Sequence, residues 1–502
     1  MIDDVESTER CAEPRLDVAV DGRFAGVLTP HFRHELFGWV ALPLAALGIA
    51  GLLALLIALL RVPGAENVLP WSSQSFFEKG LVAHVTFAFV IWYMGVHGAL
   101  TVLVTAQALG PGRGELNGAG ILCGRTGLYG AALSLLLLLI PVLGDLGAPS
   151  PNNYIPVLVH PLYYAGLTLL AVSLALPVVR LLAIVRAQRD IEPLTMGVAA
   201  AGVIYLIALV CIAIAWAVRP GDMDIETLND FVLWGGGHVL QFTNTALMLC
   251  ALYLLTRITL GETPVGPRLF NAMMLLMVAG AAMGPLLYMT HDAGDPAQRL
   301  MFTDLYWYVL PLPTAVVLLG LMALLFRRRG CIAEGAPELT GVVVALALFG
   351  FGGIIGFFES SSDTRTPGHY HAVLIAVTLT FMALYFALFL PLLGLRTERR
   401  RLRAWMYVLL GTGQFLHSAS LYVAGAMGVA RKTAGAGQGL DSWQKIASLS
   451  VMGVGGLIAV VGGVIFVVLA GKLLLARGRE GVTATLSGAA KDALDQGIRP
   501  SA

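Results

Sequence analysis

The chain has 502 residues, 57% hydrophobic and 13% charged, with a formal net charge of +1 and a mean hydropathy of +0.79. Soluble domains carry roughly twice that charged fraction, so a soluble enzyme is excluded, and the balanced charge offers no basic surface for nucleic acid. The five cysteines, Cys11, Cys123, Cys211, Cys250 and Cys331, show no C-x-x-C spacing, which argues against a disulfide framework or a cysteine-held cluster.

In chain order, apolar runs cover 36–61, 80–109, 119–144, 154–186, 194–218, 230–257, 269–290, 304–326, 338–358, 370–395, 403–429 and 448–476. A bilayer core takes about 20 apolar residues per helix. The expectation is an all-α polytopic membrane protein of about twelve transmembrane helices. A polar tail over 1–35 and a second tail over 478–502 flank the membrane domain, 36–477. The first tail lacks the short apolar core of a signal peptide.

Charge sorts the loops into two sets. One carries Arg10, Arg15, Arg23 and Arg33, then Arg180, Arg186 and Arg189, Arg257 and Arg268, Arg327 to Arg329, Arg396 to Arg403, and Lys472, Arg477 and Arg479. The other carries Asp145, Asp222, Asp224, Glu226, Asp230, Asp292, Asp295, Glu359 and Asp363. The positive-inside rule places the arginine-rich set, and both termini, in the cytoplasm of a cell-membrane protein. Arg431, Lys432 and Lys445 break the pattern on the acidic side, and they ask for an anionic partner there.

On this orientation His84, His238, His291, His369 and His371 share one layer in the outer part of the membrane. Ionisable side chains at such depth are costly and mark functional sites; interfaces also favour histidine, but the layer together with the H-x-H pair makes metal ligation the preferred reading. His369 and His371 sit two positions apart at the head of one apolar run. On a helix they point roughly 200° apart, so one helix could serve a metal centre on each side. His97 lies roughly 20 Å deeper than His84 by helical rise and reads as a hydrogen-bonded packing residue. His160 reads as an interfacial cap, His417 as a mid-helix residue without an obvious partner, and His31 and His34 as solvated.

H-V-T-F-A-F in the second run, W-G-G-G-H in the sixth, H-Y-H-A-V in the tenth and L-H-S-A-S-L-Y-V-A-G-A-M-G-V-A-R-K-T in the eleventh together resemble catalytic subunit I of the heme-copper oxidase superfamily. The resemblance spans essentially all the runs. It implies two b-type hemes and one non-heme metal, Cu or Fe. His84 and His371 would ligate a low-spin heme, and His369 would be the proximal ligand of a high-spin heme. His238 would bind the second metal. Asp363, Arg365, Arg431 and Lys432 would lie near the heme propionates, whose carboxylates would account for the misplaced basic pair.

Three departures matter. The sixth run has Val239 to Thr245 after His238, with no tyrosine, where oxygen-reducing members usually have one; Tyr288 or Tyr306 could supply a phenol from elsewhere. The seventh ends in a single His291 followed by Asp292, where the family usually has adjacent histidines. Asp292 either completes a His/His/Asp metal site with Gln241 as a possible fourth group, or faces water. Pro296 to Pro313 looks most like nitric oxide reductases, in which Gln241 would stand beside the second metal.

The expectation is therefore an oxidoreductase of the respiratory chain that reduces NO to N2O and water. Protons would come from the acidic side. The alternatives are a terminal oxidase reducing O2, and a diheme electron-transfer or gas-sensing subunit. Besides membrane lipid, the partner would be an electron-donating subunit or c-type cytochrome on the outer face.

Overall fold

A computed structural model describes residues 24, 26–60, 73–110, 116–292, 294–332, 336–359, 362–433 and 435–495. The membrane helices are α1 (Pro30–Leu60), α2 (Phe76–Leu109), α3 (Gly118–Leu143), α4 (Pro161–Val185), α5 (Pro193–Val218), α6 (Ile225–Leu260), α7 (Pro267–Thr290), α8 (Pro296–Arg327), α9 (Pro337–Gly356), α10 (Arg365–Leu392), α11 (Arg400–Ala426) and α12 (Trp443–Asp495). Eleven of these are long and apolar enough to cross a bilayer. The twelfth, α11, opens on Arg400, Arg401 and Arg403 and carries Gln414, His417, Ser418 and Ser420. The protein is a polytopic all-α membrane protein, as its composition requires.

Three helices form the interior. The apolar windows of α2, α6 and α10 are 89%, 83% and 83% buried, against 28–56% for the other eight candidate spans. Around them α3 packs on α4, α5 on α6, α9 on α10 and α11 on α12, and α12 returns to α1. The three interior helices are those that carry His84, His238, and the His369–His371 pair.

Two boundaries differ from the sequence reading. The run 154–186 is not one helix: α4 starts at Pro161, capped by His160, whose Nδ1 accepts from the Leu162 amide. Before it, β1 (Ala148–Ser150) and β2 (Val157–Val159) pair antiparallel. Pro149, Pro151, Asn152, Asn153 and Pro156 favour turns over helix, and together they put Tyr154 at the tip of a hairpin. The second difference is at α12, whose helix continues beyond Arg477 to Asp495, through most of the expected tail.

A buried ion pair ties α1 to α4 near the arginine-rich side. Arg180 Nη2 and Nη1 donate to Glu35 Oε2 and Oε1 at 2.6 and 3.0 Å, and Nη1 also donates to the Gly120 carbonyl at 3.1 Å. Both side chains are at most 3% exposed. A Cβ on Gly124 would overlap both partners, so glycine is what admits the pair. Removing one member of such a pair leaves a buried charge, at a cost of about 3–5 kcal/mol. Glu35→Ala is therefore expected to lower the thermal midpoint of the purified protein sharply, and the double variant Glu35→Ala/Arg180→Met less so. Equal losses in the two would show that the pair is not coupled.

Candidate functional site

The W-G-G-G-H turn of α6 is shaped by what its glycines admit. A Cβ on Gly235 would overlap the Tyr288 hydroxyl and Phe302, one on Gly236 would overlap Ile212, and one on Gly237 would overlap Tyr154. The hairpin tip and α8 can therefore close onto His238, which is 2% exposed. His238 Nδ1 lies 2.9 Å from the Trp234 carbonyl, and a carbonyl can only accept. Nδ1 thus carries the proton, and Nε2 is left as the acceptor. The Tyr154 hydroxyl stands 2.9 Å from that Nε2 and donates to it. Thr303 Oγ1, on α8, is 3.5 Å away.

One turn along α8, Tyr306 points at the other histidine. His369 Nδ1 lies 2.8 Å from the Gly352 carbonyl, which fixes its proton in the same way. The ring sits where a Cβ on Gly356 would overlap it. Its Nε2 faces the Tyr306 hydroxyl at 3.3 Å. Thr303 and Tyr306, three residues apart, share a helix face and connect His238 to His369. The helix is underwound into a π turn over Leu305–Val309, a distortion frequent at functional sites.

His84 Nδ1 lies 3.0 Å from the Ala50 carbonyl of α1, which leaves Nε2 as the acceptor. A second π turn, Thr86–Ile91, follows it directly. The His371 ring packs edge-on against His417 of α11, centroids 4.9 Å apart, and His417 Nδ1 lies 3.1 Å from the Met452 carbonyl. On the otherwise closed interior helices, the partly open residues include His84, Val85, Phe89 and Val90 of α2, and His369 to His371, Leu374 and Ile375 of α10.

The four expected propionate neighbours come together. Asp363 bridges to Ala430 across two loops, and the Thr364 amide donates to the Val429 carbonyl. Arg365 Nη2 pairs with Asp363 at 2.8 Å. Arg431 Nη2 donates to Asn153 Oδ1 at 2.8 Å, and Lys432 Nζ to the same oxygen at 3.3 Å and to the Pro151 carbonyl. Burial, with Arg431 beside it, pushes the Lys432 ammonium down to about 8. Below that pH it is a shielded cation in want of an anion.

The expected second-metal ligands are not gathered. His291 ends α7, with Nδ1 2.9 Å from Thr290 Oγ1, and Asp292 is exposed. Among the described residues no three His, Cys, Asp or Glu side chains converge on a metal position. Gln241 is half-buried, three residues beyond His238.

These observations test the fit of the implied groups. The donor sets of His84, His371 and His369 suit heme iron. At His84 and His369 the tethered Nδ1 leaves Nε2 to bind, the orientation that outer hydrogen bonds enforce on ligating imidazoles. At His369 the Tyr306 phenol stands on the binding nitrogen, and heme would displace it. The basic loop cluster suits carboxylates. The residues around His238 do not by themselves fit a second metal. Sequence reading missed Tyr154, because it counted residue 154 within a membrane helix; the proline and asparagine cluster around it was the available signal.

The chain also resembles known proteins along its length. It aligns with an uncharacterized protein of Rickettsia prowazekii (strain Madrid E), 24% identical over 494 residues, covering 87% of this chain and 95% of the relative. An uncharacterized protein of Aquifex aeolicus (strain VF5) is 26% identical over 351 residues, covering 69% and 83%. The fold is shared with a heme-copper terminal oxidase dimer solved by cryo-EM: the TM-score is 0.71 at 16% identity, covering 89% of this chain and 85% of that one. The family model described as "Cytochrome C and Quinol oxidase polypeptide I" matches residues 37–465. With that match running from α1 into α12, this chain belongs to the cytochrome c and quinol oxidase polypeptide I family, the heme-copper oxidase subunit I oxidoreductases of the membrane.

Proposed function

We propose that this chain is the catalytic subunit of a respiratory gas reductase whose substrate binds between His369 and His238, and that O2 is the substrate. His84 and His371 would hold a low-spin heme for electron entry, and His369 a second heme that would supply one-electron chemistry to a diatomic gas. The donor is a c-type cytochrome or a partner subunit on the acidic side, and both termini lie on the arginine-rich, cytoplasmic side.

The observation that carries this reading is the Tyr154 hydroxyl, 2.9 Å from His238 Nε2. Cleaving O–O needs an extra electron and proton close to the gas. Burial pushes the Tyr154 phenol well above its ordinary range, so it keeps its proton until it is oxidised. An electron leaving the ring would send that proton along the hydrogen bond to Nε2, giving an imidazolium whose other N–H still donates to the Trp234 carbonyl. Trp234 thus orients the imidazole, and Asn153 with the Arg431–Lys432 pair holds the hairpin that carries the phenol.

The reading of NO as substrate drew on the lack of a tyrosine after His238, on the likeness of Pro296 to Pro313 to nitric oxide reductases and on Gln241; Tyr154 answers the first of these with a phenol from the hairpin. NO remains the second reading because Gln241, on the next turn from His238, is the polar group that α6 offers instead. Gas uptake by purified protein with a reduced donor decides. Consumption of O2 well ahead of NO is expected; fast NO consumption with N2O as product, and no O2 uptake, selects the second reading.

A further inference from the structure

The hairpin that carries Tyr154 has a tip that its own strands do not hold. The β1–β2 ladder ends at the Ser150–Val157 pair, so residues 151–156 lie beyond it. Pro151 and Pro156 have no N–H to give. A side chain supplies what the ladder does not. Asn152 Oδ1 accepts from the Tyr154 amide at 3.1 Å and from the Ile155 amide at 2.9 Å, and its Nδ2 donates to the Ile155 carbonyl at 2.5 Å. Reversing the Asn152 amide would set donors against donors, so the bonds fix its orientation. This is an Asx turn, in which an asparagine side chain takes the place of backbone in closing the loop. The Tyr154 amide and both backbone groups of Ile155 are tied to one side chain, which sets the direction in which the Tyr154 ring leaves the chain.

Two brackets hold the hairpin from outside, and both begin on α4. Tyr163 and Tyr164 are adjacent, so they point about 100° apart and reach different helices. Tyr163 donates to Thr86 Oγ1 of α2 at 2.8 Å, and Thr86 Oγ1 donates to the Pro156 carbonyl at 3.2 Å. Tyr164 donates to Asn229 Oδ1 of α6 at 3.0 Å, and Asn229 Nδ2 donates to Ser150 Oγ at 3.2 Å. Thr86, Ser150, Tyr163 and Asn229 are buried, and a polar group left unpaired there costs about 1–3 kcal/mol. Thr86 stands two residues after His84, and Asn229 nine before His238. One side of the hairpin is thus referenced to α2 and the other to α6, the helices of these two histidines.

We propose that Asn152 is a positioning residue of the gas site: its side chain builds the turn that aims the Tyr154 hydroxyl at His238, and the Tyr163–Thr86 and Tyr164–Asn229 brackets set where that turn sits. Asn152 acts through Tyr154 and not on the gas. A proton can pass along the Tyr154–His238 bond only while the hydroxyl stays near its 2.9 Å from Nε2, and misplacing a reacting group by about 1 Å can cost about 10²-fold in rate. The effect on turnover rests on the reading of Tyr154 as the hydrogen donor; the placement of the ring does not.

The test pairs kinetics with a cryo-EM map. Asn152→Ala is expected to lower kcat for O2 about tenfold with KM and the low-spin heme spectrum unchanged, and its map to show the Tyr154 hydroxyl moved off His238 Nε2. In the Tyr154→Phe background Asn152→Ala is expected to cost nothing further, because the group it positions is gone. Thr86→Val removes a donor to the hairpin; it is expected to move both readouts the same way, and it answers if Asn152→Ala fails to fold. Wild-type kcat in Asn152→Ala with the hydroxyl still on His238 overturns the proposal. So do losses from Asn152→Ala and Tyr154→Phe that multiply in the double variant, the mark of independent effects. If Tyr154→Phe itself turns over at the wild-type rate, the hydrogen-donor reading falls, and the map alone decides whether Asn152 places the ring.

Discussion

Replacing His84 with alanine is expected to remove the low-spin heme and, with it, turnover. His84 has its Nδ1 tied to the Ala50 carbonyl and is half-buried on an interior helix, which leaves Nε2 for the heme iron proposed above. Altering only the outer hydrogen-bond partners of a ligating imidazole costs about 10–100-fold in affinity or activity, and deleting the imidazole itself should cost more than 100-fold. Absorption and magnetic circular dichroism of the purified variant would read the loss of the bis-imidazole signal. His371→Ala should reproduce it. His417→Ala should not, because His417 packs on the His371 ring and makes its own bond to Met452. An intact low-spin signal in His84→Ala would refute the assignment.

Tyr154→Phe keeps the ring that packs on Trp234 and His238 and deletes only the hydroxyl on His238 Nε2. Positioned proton donors are typically worth 10²–10⁴-fold. The variant is expected to lose about 100-fold in kcat for O2, with little change in KM and an unchanged low-spin spectrum. Gly237→Ala should move the same way, since its Cβ would displace Tyr154. Tyr306→Phe separates the two phenols. If it stops turnover while Tyr154→Phe does not, the phenol at His369 is the one used. Wild-type kcat in all three would leave the site without a hydrogen donor and favour NO.

Much of the architecture was legible because the bilayer imposes it. Apolar runs of membrane length map onto helices, and the opposed histidines of α10 follow from helix periodicity. The heme-ligand expectations rested on resemblance, and the structure places His84, His369 and His371 on helices enclosed by the rest. What stayed hidden was tertiary. Residue 154 looked apolar enough to belong to a span, and only the folded hairpin brings it 84 positions along the chain to His238. His291 and Asp292 looked like metal ligands by analogy, but a helix end turned to Thr290 and an exposed carboxylate do not make a cage. His97 looked like a hydrogen-bonded packing residue, but it is fully buried with neither ring nitrogen partnered, and lack of a partner cannot be read from a linear string.

The central claim is that two hemes flank α10, one low-spin on His84 and His371, the other high-spin on His369 with an open face toward His238. Electron paramagnetic resonance of the oxidised protein, with carbon monoxide difference spectra of the reduced protein on the same sample, tests it most directly. The account predicts one bis-histidine low-spin signal and one high-spin signal per chain, with carbon monoxide bound at the second alone and lost in His369→Ala. A single low-spin heme that ignores carbon monoxide, with Tyr306 still seated on His369, would contradict it.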